Sequence, residues 1–277
     1  QPSGEVAARA NYWRGVLLAD KEKWPEAEAA FRECLGIAPD AAGAALARLR
    51  LAVVLQRQDR MDEAADQFEP LLENTSLVAD HPDMVEWLVR HRFDQGAFAA
   101  AQQAGAVLGE SAREPSWRQI GWYWAGAAET QRGQDDRAMA YFEKAGAEKA
   151  RTREGAEAQL LLAGLELKAG QFAQAAERFA AAAEAAGTEE TLGLRVRAYF
   201  GLGEAAEAAG QPEKAARHFR SVAVLFDDPE WTPHSLYRAG LLYGQIGRRA
   251  EQADAWRELQ QRYPDSSFAK QVEPPPP

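Results

Sequence analysis

Apolar residues recur along this chain three or four positions apart, and nowhere do they alternate with period two over the length of a strand. The spacing predicts helices throughout and no sheet. A longer period lies on top of the helical one. Ala followed four residues later by an aromatic occurs at Ala27/Phe31, Ala64/Phe68, Ala138/Phe142, Ala175/Phe179 and Ala215/Phe219. Ala101/Gly105 and Gln252/Trp256 fall in the same register with one member changed. Successive members stand 37 residues apart, except for one 40-residue step between Ala175 and Ala215. Repetition at such a period marks units that each cover their neighbour's apolar face.

Two further markers keep the same beat. Five residues before each repeat position stands a turn residue: Glu22, Asp59, Gly96, Gly133, Gly170, Gly210 and Gly247. Upstream of the turn runs a helical stretch with a small residue in register, at Gly15, Ala52, Gly126/Ala127, Ala163, Gly203 and Gly240. Each unit therefore reads as helix, tight turn, helix. The small residue and the Ala let the paired backbones approach, and the aromatic is expected to fill the gap toward the next unit. Pro25 and Pro212 suit the first turn of second helices, where a missing N–H costs little. Asp80-His81-Pro82 and Thr232-Pro233 read as starts of first helices, with Ser116 as a cap after Pro115. The 40-residue step through Ala186–Thr191 reads as a hinge or one extra helical turn; continuous stacking favours the turn.

The segment from Trp24 to Leu35, closing at Pro39, resembles the second helix and terminal proline of the tetratricopeptide repeat family, and so does Gly133 to Ala145. The resemblance covers residues 5–264 and implies an all-α, right-handed superhelical solenoid of seven helix-turn-helix repeats. The repeats run near 8–44, 45–81, 82–118, 119–155, 156–195, 196–232 and 233–264, with 265–277 as a capping segment and Pro-rich tail. The period departs from the family's unit of about 34 residues, and the third repeat, with Gly105 in the aromatic's place, matches least well. The ending Trp256 to Ser266 looks like repeats of bacterial cell-envelope proteins, so a periplasmic or membrane-anchored extracytoplasmic setting is expected, with the cytoplasm as the alternative. Gln1 and the four terminal prolines read as cut ends, compatible with an anchor before the chain and more sequence after it.

Charge narrows the partners. The net charge is −10, and the cations, 25 Arg and seven Lys, are spread along the chain, which argues against nucleic acid. No apolar run is long enough to insert into a membrane. Cys34 is the single cysteine, so neither a disulfide framework nor a multi-cysteine metal site is available. It falls where a small apolar residue is expected, which points to burial.

Candidate contacts follow from the resemblance, because such arrays bind along the face lined by the first helix of each unit. Adjacent positions there are Tyr12-Trp13, Leu49-Arg50, Glu86-Trp87, Tyr123-Trp124, Leu160-Leu161, Phe200-Gly201 and Tyr237-Arg238. Large aromatics beside Arg have the composition of binding hot spots. Tyr12, Trp13, Arg50, Trp87, Arg90, Tyr123, Trp124, Tyr237 and Arg238 are therefore the candidate partner-binding residues, each Trp serving the groove or packing between helices. The Lys/Asn carboxylate clamp of some family members is absent: Tyr12, Val16, Leu49, Val53, Glu86 and Arg90 stand at its positions. The four histidines lack ligand spacing, and the pairs Asp135-Asp136, Glu189-Glu190 and Asp227-Asp228 suit helix starts better than acid–base work. No nucleophile, phosphate loop or cofactor motif is present. The sequence thus predicts a non-enzymatic scaffold for a protein or peptide, without cofactor or metal. Self-association into a homo-oligomer is the alternative.

Overall fold

A computed structural model describes residues 4–39, 43–148 and 150–272, and every regular element among them is helical. The chain forms two compact units, 1–132 and 133–277. The first holds α1 (Gly4–Ala19), α2 (Trp24–Ile37), α3 (Ala44–Arg57), α4 (Met61–Phe68), α5 (Thr75–Asp80), α6 (Pro82–Asp94), α7 (Phe98–Ser111) and α8 (Pro115–Gln131). The second holds α9 (Asp135–Ala147), α10 (Arg153–Lys168), α11 (Phe172–Ala185), α12 (Leu192–Ala208), α13 (Pro212–Leu225), α14 (Trp231–Gln245) and α15 (Arg249–Arg262). Within each unit, helices adjacent in sequence pack in consecutive pairs, with lighter contacts between alternate helices such as α6 with α8 and α12 with α14. No helix among the described residues is long and apolar enough to cross a membrane.

The turns explain the beat. Glu22, Asp59, Gly96, Gly133, Gly170, Gly210 and Gly247 all have positive φ, between 57° and 79°. A left-handed residue there lets the next N–H reach back to a carbonyl of the last helical turn, which closes the helix and reverses the chain. That bond runs from Lys23 to Leu18 (3.0 Å), Arg60 to Leu55 (3.0 Å), Ala97 to Arg92 (2.9 Å), Gln171 to Glu166 (2.9 Å), Gln211 to Ala206 (2.9 Å) and Arg248 to Tyr243 (2.8 Å).

The small residue on each first helix makes room for the ring on its partner. A Cβ added to Gly15 would lie 2.7 Å from the Phe31 ring, one on Gly203 would lie 2.6 Å from Phe219, and one on Gly240 would overlap Trp256. Phe31, Phe68, Phe142 and Phe219 are fully buried, and each such side chain contributes about 1.5–3 kcal/mol of apolar transfer. The expectation that the aromatic fills the gap toward the next unit holds in part, since Arg238 of α14 lies over the Phe219 ring at 5.0 Å. In these three pairs the ring lies on the first helix of its own unit; Phe179 does reach onward, onto Gly201 of the following one. Where Gly105 replaces the ring, the backbones close up instead. Its added Cβ would lie 2.9 Å from both the Ala125 nitrogen and the Gly121 oxygen, and the Trp122 ring covers Gly109.

Other details depart from the sequence reading. Pro70 lacks the N–H a helix needs, so the second helix of the second repeat stops at Phe68, continues as a 3₁₀ segment (Glu69–Glu73) and restarts as α5. The Asn74 side chain caps α5 by accepting from the Leu77 N–H at 3.1 Å. Ser116 is not a cap, because α8 begins at Pro115 after Glu114 and Ser116 lies inside it. Before α14, Asp228 Oδ1 accepts from the N–H groups of Glu230 (2.9 Å) and Trp231 (2.8 Å), so the helix starts one residue ahead of Thr232. The 40-residue step is an added 3₁₀ turn, Glu189–Thr191, where Thr188 and Thr191 cap each other directly ahead of α12. Phe268, Ala269 and Val272 pack in one cluster with Leu236, Tyr237 and Leu259. The final prolines lie outside the described residues.

L-residues pay about 1–2 kcal/mol in the left-handed region that glycine visits freely. Glu22→Gly and Asp59→Gly should therefore each raise the free energy of unfolding by up to about 1 kcal/mol, and Gly170→Ala should lower it by about 1 kcal/mol. Urea denaturation of the three variants measures this.

Candidate functional site

The repeat register places the candidate residues on first helices, and their surroundings separate them into groups. On α1, Tyr12 is half-buried, with its ring 6.0 Å from Phe31 and edge-on to Trp13 at 5.3 Å. Trp13 is 57% exposed. Arg50 stands exposed on α3. Cys34 is buried beside α1, and burial pushes its thiol up despite a hydrogen bond with the Tyr12 backbone that acts the other way. A thiol held protonated is a packing group rather than a nucleophile.

A cluster forms where α6 meets α8. The Trp124 indole, half-buried, meets Phe93 edge-on at 5.2 Å and Tyr123 at 5.2 Å. The Arg90 guanidinium lies over the same indole, 5.3 Å from its centre, while its Nε donates to Glu86 Oε1 at 2.9 Å. Tyr123 itself is buried. One turn away, Trp87 is half-buried and stacks flat on His91 at 5.5 Å, whose Nε2 is 3.0 Å from Asp62 Oδ1. Arg90, Phe93 and Trp124 are thus brought together, with Trp87 on the next exposed flank. The Arg90 side chain keeps 51% of its surface open to solvent, so the ridge offers a cation seated on an aromatic face.

In the second unit, Tyr237 and Arg238 sit half-buried on α14. Arg238 pairs with Glu207 of α12 and lies over the Phe219 ring at 5.0 Å. Tyr237 leans on Phe268 of the capping segment at 5.5 Å. The neighbouring Glu204 is half-buried; burial pushes its carboxyl up, Arg238 pulls it down and Glu207 pushes it up further. His234 stacks on Phe268 at 4.5 Å, and burial and then Arg238 hold its imidazole below its ordinary value.

Matches to known proteins agree with this architecture. Tetratricopeptide repeat profiles match residues 3–42, 49–115 and 160–230, and a further tetratricopeptide repeat profile matches 234–266. The chain belongs to the tetratricopeptide repeat family. No curated protein matches its sequence. Solved structures with a similar fold include the apo form of RapI (TM-score 0.57, 11% identity, covering 95% of this chain and 78% of that one). BtubC from P. vanneervenii is similar at TM-score 0.54 and 16% identity, covering 79% and 94%. MamA 41-end from Desulfovibrio magneticus RS-1 is similar at TM-score 0.50 and 18% identity, covering 68% and 98%. At these identities the likeness is one of fold.

Two features of the surface were not among the residues singled out from the sequence. One is Glu204, whose burial depends on α14 packing beside α12. The other is the outer face of α1, where Val6 and Leu17 are 51% and 60% exposed. Its signal was available, since Leu17 is in register with apolar residues of the later first helices.

A carboxyl whose pKa is raised by folding adds stability when protonated and loses that contribution as pH rises through the folded pKa. Glu204→Gln should therefore raise the melting temperature at pH 7 and leave it unchanged near pH 4. Thermal unfolding followed at the two pH values checks the sign.

Proposed function

We propose that this tetratricopeptide repeat chain is a non-enzymatic scaffold that holds a protein or peptide segment along its first helices, centred on the α6–α8 ridge. The observation that carries the reading is Arg90 seated over the half-buried Trp124 indole, with Trp87 on the adjoining flank. Such a ridge is pre-organised. The indoles are held by Phe93 and His91, so a partner orders little on this side when it binds. An apolar side chain laid on the indoles would exclude water there, while Arg90 and the exposed Arg50 offer donors to carboxylates or backbone carbonyls. The net charge of −10 supports a protein partner over a nucleic acid. An extracytoplasmic bacterial setting belongs to the same proposal and rests on the envelope-like ending Trp256 to Ser266.

A photo-crosslinking residue placed at Arg50 should capture a discrete partner from native extract, and the same residue at Glu110 on α7 should not. Arg90→Glu, a change at an exposed position, should weaken that capture about tenfold or more without altering the helical circular dichroism. Capture from Glu110 alone, or capture indifferent to Arg90→Glu, would place binding elsewhere.

A further inference from the structure

We propose that Glu204 receives a Lys or Arg side chain from an extended partner segment laid across the first helices of the second unit. Counted by the repeat, Glu204 on α12 stands where Arg90 stands on α6. Gly164 of α10 holds the same place one repeat earlier, and Leu241 of α14 holds it one repeat later. Both α10 and α14 pack against α12, so Glu204 lies inside the array and not at an open end. Its carboxyl is half-buried, and neither a hydrogen bond nor an ion pair ties it to another described residue. The charges that act on it are those of Arg238 and Glu207. Arg238 is already committed, since it pairs with Glu207 and lies over the Phe219 ring at 5.0 Å. Two carboxyl groups therefore share one guanidinium, and the site is one positive charge short. A carboxylate drawn partly out of water without a partner costs the fold stability, which a cation brought to it restores.

The ground beside the carboxyl is kept clear. Gly164 lies half-buried in the interior of α10, where glycine weakens a helix. Other glycines of these first helices are explained by rings that a Cβ would strike: Phe179 at Gly201, Phe219 at Gly203 and Trp256 at Gly240. A Cβ on Gly164 would meet nothing within 4 Å. Packing among the described residues therefore does not require this glycine, whereas a second chain approaching the backbone closely does. On the other flank Leu241 is 43% exposed. It offers apolar surface to the methylene stem of a long basic side chain while the charged end reaches the carboxylate. An acidic residue at this point of the partner would face a like charge, and a neutral one would leave Glu204 unpaired, so the site selects against both. The net charge of −10 draws basic segments toward the chain in the first place. The site lies in the second unit, and neither this proposal nor that of the α6–α8 ridge depends on the other.

A phage-displayed library of random dodecapeptides panned against the 277-residue chain should enrich sequences with Lys or Arg at one fixed position. The same selection on Glu204→Gln should lose that preference. A selected peptide should bind Glu204→Gln about tenfold or more weakly than the native chain, and replacing its basic residue by Met should weaken binding to the native chain as much. Made together, the two changes should cost no more than either alone, because each removes the same pair. Gly164→Leu, which fills the cleared ground, should weaken binding with the helical circular dichroism unchanged, whereas Arg90→Glu should leave it as it is. The raised melting temperature of Glu204→Gln at pH 7 shows that this variant is folded. Recovery of no peptide, or of peptides without a fixed cation, overturns the proposal. So does a selected peptide that binds Glu204→Gln as tightly as the native chain.

Discussion

The structure depends on one contact repeated along the chain: an aromatic ring on the second helix of a unit pressed against a backbone without room for a side chain on the first. Phe31 on Gly15, Phe219 on Gly203 and Trp256 on Gly240 are its clearest instances. Because the interior is close-packed, the ring cannot shift without opening a void or colliding with the facing helix. It therefore sets both the separation and the rotation of these helix pairs. Where the ring is missing, at Gly105, the first helix of the next unit closes in, with α7 and α8 brought together until their backbones touch.

Fixing the rotation of the first helices decides what each of their faces meets. The position occupied by Trp13, Trp87 and Trp124 lies at the edge of the packed surface, so the same residue type is open on α1 and half-buried on α6 and α8. Arg90 then finds an indole to rest on, and Arg238 finds Phe219 and Glu207. Binding chemistry in such a protein is a by-product of register: the units must stack, and whatever stands beside the seam is held rigid without cost to a ligand.

Much of the architecture was legible because it rests on local rules. Five glycines and two carboxylate residues share one left-handed conformation, and their spacing alone located the turns at which these residues stand. The acidic pairs lie at helix starts, with Asp135-Asp136 in the first turn of α9 and Asp228 capping α14. Direction was harder to read. The spacing of Phe219 says that a ring is needed, and only three-dimensional packing says that it presses back onto Gly203 while its face meets Arg238 of the next unit. The break at Pro70 was visible as a proline, yet its consequence depended on Leu71, Leu72, Leu77 and Val78 finding a core to enter. Of the candidate site, the helices and positions were readable. Which aromatic stays open depends on whether a neighbouring unit covers it, and that is a property of stacking rather than of any one unit's sequence.

The central claim is that ring and missing side chain act as a single device, and a double-mutant cycle on Gly203 and Phe219 tests it most directly. Gly203→Ala should cost about 1–3 kcal/mol in the native background, because its Cβ lands against the ring. In a Phe219→Leu background, where the ring is gone, the same change should cost far less, giving a coupling energy of at least about 1 kcal/mol in urea denaturation. If the two losses instead add to within about 0.5 kcal/mol, the residues act independently, and the spacing of the helix pairs is set by something other than this contact.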